Sequence, residues 1–298
     1  MSFNWFAFLS GLACCVLCAL LAAACVRAKL RALLDRAPRG ESGLSAAADK
    51  VAQSAPKNHT QGSRFAVSLA SFAALAAFLG IPLGSLPAIF PFSWGGLAVL
   101  GCLGLTLGFE ENWTWNEATR RNARVLALLG LCLALFAWYA RQRGVPGELF
   151  SLDSYVATPL AGLMGWQGRL GALLLALALL LAVRDVQQSL ASGLARVAAG
   201  LEAGEARAVV ISAMIRQTWI LAVLGMAVCL FVPLCPAGWF GMPGVTGIAA
   251  DALFFWLKLL IADHTLWLAA NKLPGLSAFA TRAQFPLAGL GALCMAFA

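Results

Sequence analysis

The chain has 298 residues, of which 61% are hydrophobic and only 11% charged, whereas a soluble globular chain is about 45–50% apolar and about 25% charged. Water would leave too much of that apolar surface exposed, so hydrocarbon is the solvent that suits this composition. The net charge of +8 does not point to nucleic acid, because the Lys and Arg fall between apolar runs, as they do in the cytoplasmic loops of a membrane protein.

The first apolar run, Phe3 to Val26, is longer than the 7–15-residue core of a signal peptide and has no charged segment before it, so a retained helix is expected. Further helices are predicted at about 65–86, 94–109, 125–140, 168–184, 217–235, 250–271 and 284–298. Strand-like alternation is absent, which argues against a membrane barrel. The 29 glycines suit closely packed membrane helices. The nine cysteines lie in or beside apolar runs and read as small apolar fillers. The expectation is one all-α polytopic domain over residues 1–298, with about eight transmembrane helices and amphipathic helices in its cytoplasmic loops.

Segments 27–64, 110–124, 184–216 and 272–283 hold 17 of the 21 Lys and Arg. The positive-inside rule puts these loops in the cytoplasm and both termini outside, which needs an even number of spans. The opposite connections are Pro-rich, as at Pro91, and carry Trp94, Tyr155, Trp166 and Trp239, aromatic residues suited to the headgroup boundary.

Loop 27–64 opens with Arg27, Lys29, Arg31 and Arg36, while Leu30, Leu33 and Leu34 share another helical face. It suits the membrane surface or a partner, or serves as an ordinary basic flank. Ser42 to Gln53 is weakly amphipathic. Loop 184–216 mixes Val209, Val210, Ile211, Met214 and Ile215 with Glu202, Glu205, Arg207 and Arg216. It predicts an amphipathic helix, with the two Glu either on a proton path or at a solvated surface.

The seventh predicted span, from Asp251 to Trp267, carries Lys258 near its middle. A charge there costs at least ~2.5 kcal/mol, so it must face a partner, water or the bundle interior. Asp251 falls on the same helical face as Lys258, and Asp263 is rotated by roughly 140°. Lys258, Asp263 and His264 are either stations of a buried polar axis or a packing charge with two boundary residues. Histidine is the side chain best able to titrate near neutrality.

Nucleotide-binding, zinc-protease and nucleophile-elbow motifs are absent, so neither catalytic residues nor a metal site is expected in this chain. The order of features resembles respiratory complex I subunit 1 and the membrane subunits of membrane-bound hydrogenases, including formate hydrogenlyase and energy-converting hydrogenase. Three stretches carry the resemblance: Arg27-Ala-Lys29-Leu-Arg31 followed by Gly43-Leu44 and Ala48-Asp49; the Glu- and Gly-rich segment Ala199 to Arg207; and Phe254-Phe255-Trp256-Leu257-Lys258 with Lys272-Leu273-Pro274 after it. Val26 stands before Arg27, and Ala37-Pro38 stands in place of the family's Gly-Pro. These departures fall where quinone-using relatives build their headgroup cavity, and they argue against quinone binding and favour the hydrogenase branch or a more divergent complex.

The resemblance implies a non-catalytic subunit of a bacterial or archaeal cytoplasmic membrane. It would dock a soluble arm carrying iron–sulfur clusters and a nickel–iron site, and link that arm to antiporter-like membrane subunits that move protons or sodium. By that analogy Glu202 and Glu205 are loop acids near the redox module, and Lys258 and Asp263 are relay stations. His264, Asp251, Glu202 and Glu205 are further relay candidates, and Arg27, Lys29, Arg31, Arg36, Asp49, Arg207 and Arg216 are candidates for a partner interface. An independent secondary transporter or channel, and a structural or assembly protein, are the alternatives.

Overall fold

The computed structural model describes residues 5–35, 64–83, 88, 94–110, 117–145, 149–199, 203–238, 240–242, 244–272 and 276–298. These residues are almost entirely helical. The order is α1 (Trp5–Leu34), α2 (Arg64–Leu79), α3 (Gly95–Glu110), α4 (Glu117–Gln142), the short α5 (Leu152–Ala157) and α6 (Leu160–Leu163), α7 (Trp166–Ala198), α8 (Ala203–Phe231), a 3-10 turn at Pro236–Gly238, α9 (Gly244–Lys272) and α10 (Leu276–Ala296). Among the described residues, four helices are long and apolar enough to cross a membrane: Ala118–Gln142, Trp166–Ala198, Ala206–Phe231 and Gly244–Lys272, at 25, 33, 26 and 29 residues. At 1.5 Å per residue each exceeds a hydrocarbon core of about 30 Å. Ala66–Leu79 and Gly95–Phe109 are apolar but shorter.

The expected loop 184–216 is not a loop. Its first part is the end of α7 and its last part the start of α8. The charges at Arg184 and Asp185 do not end α7, because the apolar helical spacing continues through Val186, Leu190, Ala191 and Leu194, all buried. Likewise α1 runs on through the basic run as far as Leu34, while the amphipathic segment 42–53 lies outside the described residues. α4 ends where the sequence signals a stop. Gly144 has φ +61°, its N–H donates to the Arg141 carbonyl, and the Val145 N–H donates to the Ala140 carbonyl. Glycine tolerates that left-handed turn, and the two bonds satisfy carbonyls that the helix end would otherwise leave open.

α8 is the central helix. Every residue from Gln217 to Met226 is buried, and α8 packs on α1, α2, α3, α4, α5, α7 and α9. α7 forms a second axis against α1, α4, α8, α9 and α10. Its seam with α10 depends on two glycines: a Cβ on Gly171 would stand 2.7 Å from the Gly291 carbonyl oxygen, and one on Gly291 would stand 2.9 Å from the Gly171 carbonyl oxygen. Such close backbone approach replaces hydrophobic driving force with dispersion contact in helix pairs of this type. Leu20, Phe72, Leu173, Leu253, Ile261 and Phe285 point outward, which suits contact with lipid.

Candidate functional site

Along α1 the residues at helical spacing Cys18, Ala22, Val26 and Lys29 are all buried. The stripe that begins as packing surface therefore ends on an ammonium. Arg27 and Arg31 share a different face, about 200° round the helix from Lys29, and are exposed. One short basic run thus supplies both a surface patch and a core charge.

Lys29 meets three side chains from three further helices: Gln187 of α7, Gln217 of α8 and Asp263 of α9. Its Nζ is 2.9 Å from Asp263 Oδ2 and 3.1 Å from Oδ1. It also donates to Gln217 Oε1 at 2.7 Å and to Gln187 Oε1 at 3.1 Å. An ammonium has three N–H donors and no acceptor, so these three partners use all of them. Each amide nitrogen turns the other way. Gln217 Nε2 donates to Asp263 Oδ1 at 2.9 Å, and Gln187 Nε2 donates to the same oxygen. Both glutamines therefore bridge the two charges, oxygen to the cation and nitrogen to the anion. One turn beyond Asp263, the Trp267 ring centre lies 5.0 Å from Lys29 Nζ, close enough for a cation–π contact.

The side chains of Lys29 and Asp263 are only 6% and 4% exposed, and both glutamines are fully buried. A buried ion pair is tolerated when its remaining lone pairs and protons are satisfied, as they are here.

A second polar group lies across α7. Asp185 is two residues from Gln187, about 200° round the helix, and so faces α10 instead. Its Oδ2 accepts from Gln284 Nε2 at 2.8 Å and Thr281 Oγ1 at 3.1 Å, and its Oδ1 lies 3.4 Å from Arg184 Nη1. Arg184, Asp185 and Gln284 are buried.

Lys258 belongs to neither group. Its half-buried side chain reaches the carbonyls that follow the end of α8, those of Val232 and Leu234, each at 3.0 Å. Asp251 reaches the same connection and accepts the Ala237 N–H at 2.8 Å. The shared face of Lys258 and Asp251 is thus the face turned to residues 232–238. Both brace backbone there. The end of α8 next to those carbonyls lies roughly 21 Å along the axis from Gln217, where Asp263 binds. Asp263 and Lys258 therefore serve separate places on one helix.

His264 is exposed on α9 and Arg207 is exposed on α8, where Arg216 is half-buried. Glu205 lies in the first turn of α8, and its side chain is not among those described. Glu202, Arg36 and Asp49 lie outside the described residues. Gln187, Gln217, Arg184 and Asp185 are not conspicuous in the sequence, because they fall at the expected span edges or in the expected loop. The buried apolar spacing on both sides of Gln187 is the signal that marks it as a core position.

No known protein-family model matches the chain, and no curated protein sequence matches it.

Proposed function

We propose that this chain is a membrane-embedded, non-catalytic coupling subunit of a complex I-like redox complex of the membrane-bound hydrogenase type. Its charge-coupling station is the Lys29–Asp263 pair. One observation carries the reading: four helices converge on a buried ammonium and carboxylate bridged by two amides. Ionisable groups inside membrane helices are costly and mark ion or proton pathways.

In this reading eight helices of the described residues, α1 to α4 and α7 to α10, cross a bacterial or archaeal cytoplasmic membrane with both termini outside. Arg27, Arg31 and Arg207 lie at the cytoplasmic end, where the soluble iron–sulfur and nickel–iron arm docks. The metal centres stay in that arm, antiporter-like subunits lie alongside, and quinone is not used. A change of charge in the arm shifts the balance between the ionic and neutral forms of Lys29 and Asp263. The proton can pass between Nζ and Oδ2 across their contact. Gln187 and Gln217 hold both groups in place as it does so.

Mild detergent extraction of the tagged chain, with mass spectrometry and metal analysis of what remains bound, tests this reading. Co-purifying nickel–iron and iron–sulfur subunits, with loss of redox-driven ion movement in Lys29→Ala, is the expected outcome. A metal-free chain without such partners overturns it. Transport by the chain alone in liposomes would then favour a carrier.

A further inference from the structure

The atoms around Lys29 Nζ are those of a cation site. One carboxylate and two amide oxygens, from three different helices, converge on one point, and an aromatic face closes the fourth side. Carbonyl and carboxylate oxygens arranged in this way replace the hydration shell of a monovalent cation. We infer that Asp263, Gln187 and Gln217 form a monovalent-cation site which Lys29 fills as a tethered ammonium, and that Lys29 thereby sets the station's preference for protons over sodium. The selectivity part of this inference rests on the coupling role proposed above; the binding part does not.

Three physical features support it. The ammonium sits where a sodium ion would have to sit, and its stem enters from α1. The cage as it stands is neutral overall, one cation against one anion with two uncharged amides. A sodium ion added to it would bring an unpaired buried charge, which is prohibitively costly. The proton that Lys29 already carries needs no second cation in the cage. It can leave Lys29 Nζ and bond to Asp263 Oδ2, 2.9 Å away, so that one N–H bond breaks as one O–H bond forms. The products are a neutral amine and a neutral acid. Asp263 Oδ1 keeps its bonds from both glutamine amides meanwhile.

Removing the tether should open the site to free cations. Equilibrium binding of radioactive methylammonium and sodium is measured on the purified full-length chain in detergent. Wild type is expected to show no saturable site for either. Lys29→Ala should gain one saturable site, which takes up methylammonium. Asp263→Asn added to Lys29→Ala should lose it. Saturable sodium binding by wild type that Asp263→Asn removes would overturn the inference. So would a Lys29→Ala chain that stays monodisperse and helical but binds neither cation.

A second arm needs no point variant and does not depend on Lys29→Ala folding. Redox-driven proton uptake into inverted membrane vesicles containing the whole complex should be the same with and without sodium. Uptake of radioactive sodium that persists with a protonophore present overturns proton selectivity. If deleting the chain leaves uptake of both ions unchanged, the coupling role fails and the selectivity claim falls with it. The binding arm still decides independently whether Lys29 fills a cation cage.

Discussion

Lys29 and Asp263 are separated by 234 positions in the sequence, yet they form a nearly solvent-free ion pair with a 2.9 Å contact. Breaking such a pair from one side leaves an uncompensated buried charge, at a cost of about 3–5 kcal/mol. Lys29→Met and Asp263→Leu should each lower thermal stability in detergent by that order. The double variant should recover most of the loss, because apolar replacement of both partners is often neutral. Equal and additive losses would show that the two charges do not depend on one another.

Lys258 should behave differently. Its ammonium donates to two carbonyls just beyond α8, where positive charge also complements the helix dipole, worth about 0.3–1 kcal/mol at exposed sites. Lys258→Met should destabilise by roughly 1–2 kcal/mol, since bonds to charged groups are stronger than neutral ones. Lys258→Arg should be milder. Combined with Lys29→Met, the effects should add within about 0.5 kcal/mol, as expected of separated sites. A coupling energy well above that, from a double-mutant cycle in thermal unfolding, would join Lys258 to the Asp263 site.

The α7–α10 seam gives a packing test. Gly171→Val or Gly291→Val puts side-chain atoms into the opposing backbone. Each should cost roughly 1–3 kcal/mol or more, the range for overpacking. On α3, by contrast, a Cβ at Gly101 would meet nothing within 4 Å, so Gly101→Ala should raise stability by about 0.5–1 kcal/mol. Unfolding midpoints of the three variants check both signs.

Asp153, in the short α5 of the α4–α7 connection, accepts the Ala88 N–H at 2.9 Å. Burial raises its pKa above the ordinary 3.8, and the Ala88 hydrogen bond only partly opposes this. The folded chain therefore holds this proton more tightly than the unfolded chain. Its stabilising contribution is complete below 3.8 and is lost as pH rises through the raised value. Asp153→Asn keeps an oxygen acceptor for Ala88 and should remove this fall. Asp153→Ala should lose the hydrogen bond at every pH. Unfolding midpoints across the acid range separate the two, and an unchanged pH slope in Asp153→Asn would count against the assignment.

Much of the helical framework is legible in the sequence. The Ala- and Leu-rich runs place α7, α8 and α9. Boundaries set by charge are less legible. Arg184 and Asp185 look like the end of a span, but their helix continues for another thirteen residues to Ala198, because Asp185 finds partners on α10 and Arg184 lies beside Asp185. Charge ends a membrane helix only where water is its best available partner. Here another helix offered Thr281 and Gln284.

The same distinction divides the candidate site. Composition and helical period by themselves determine that the chain is helical, that its surface suits lipid, and that Asp263 and Lys258 occupy one apolar helix. These follow from local preference and from the cost of exposing apolar surface to water. That Lys29 turns inward while Arg27 and Arg31 remain outside, and that Gln187 and Gln217 complete its cage, only the tertiary structure decided. A lysine at the end of a membrane helix can place its charge in water or in the bundle. The choice depends on whether distant helices bring a carboxylate and enough oxygen atoms to the same point.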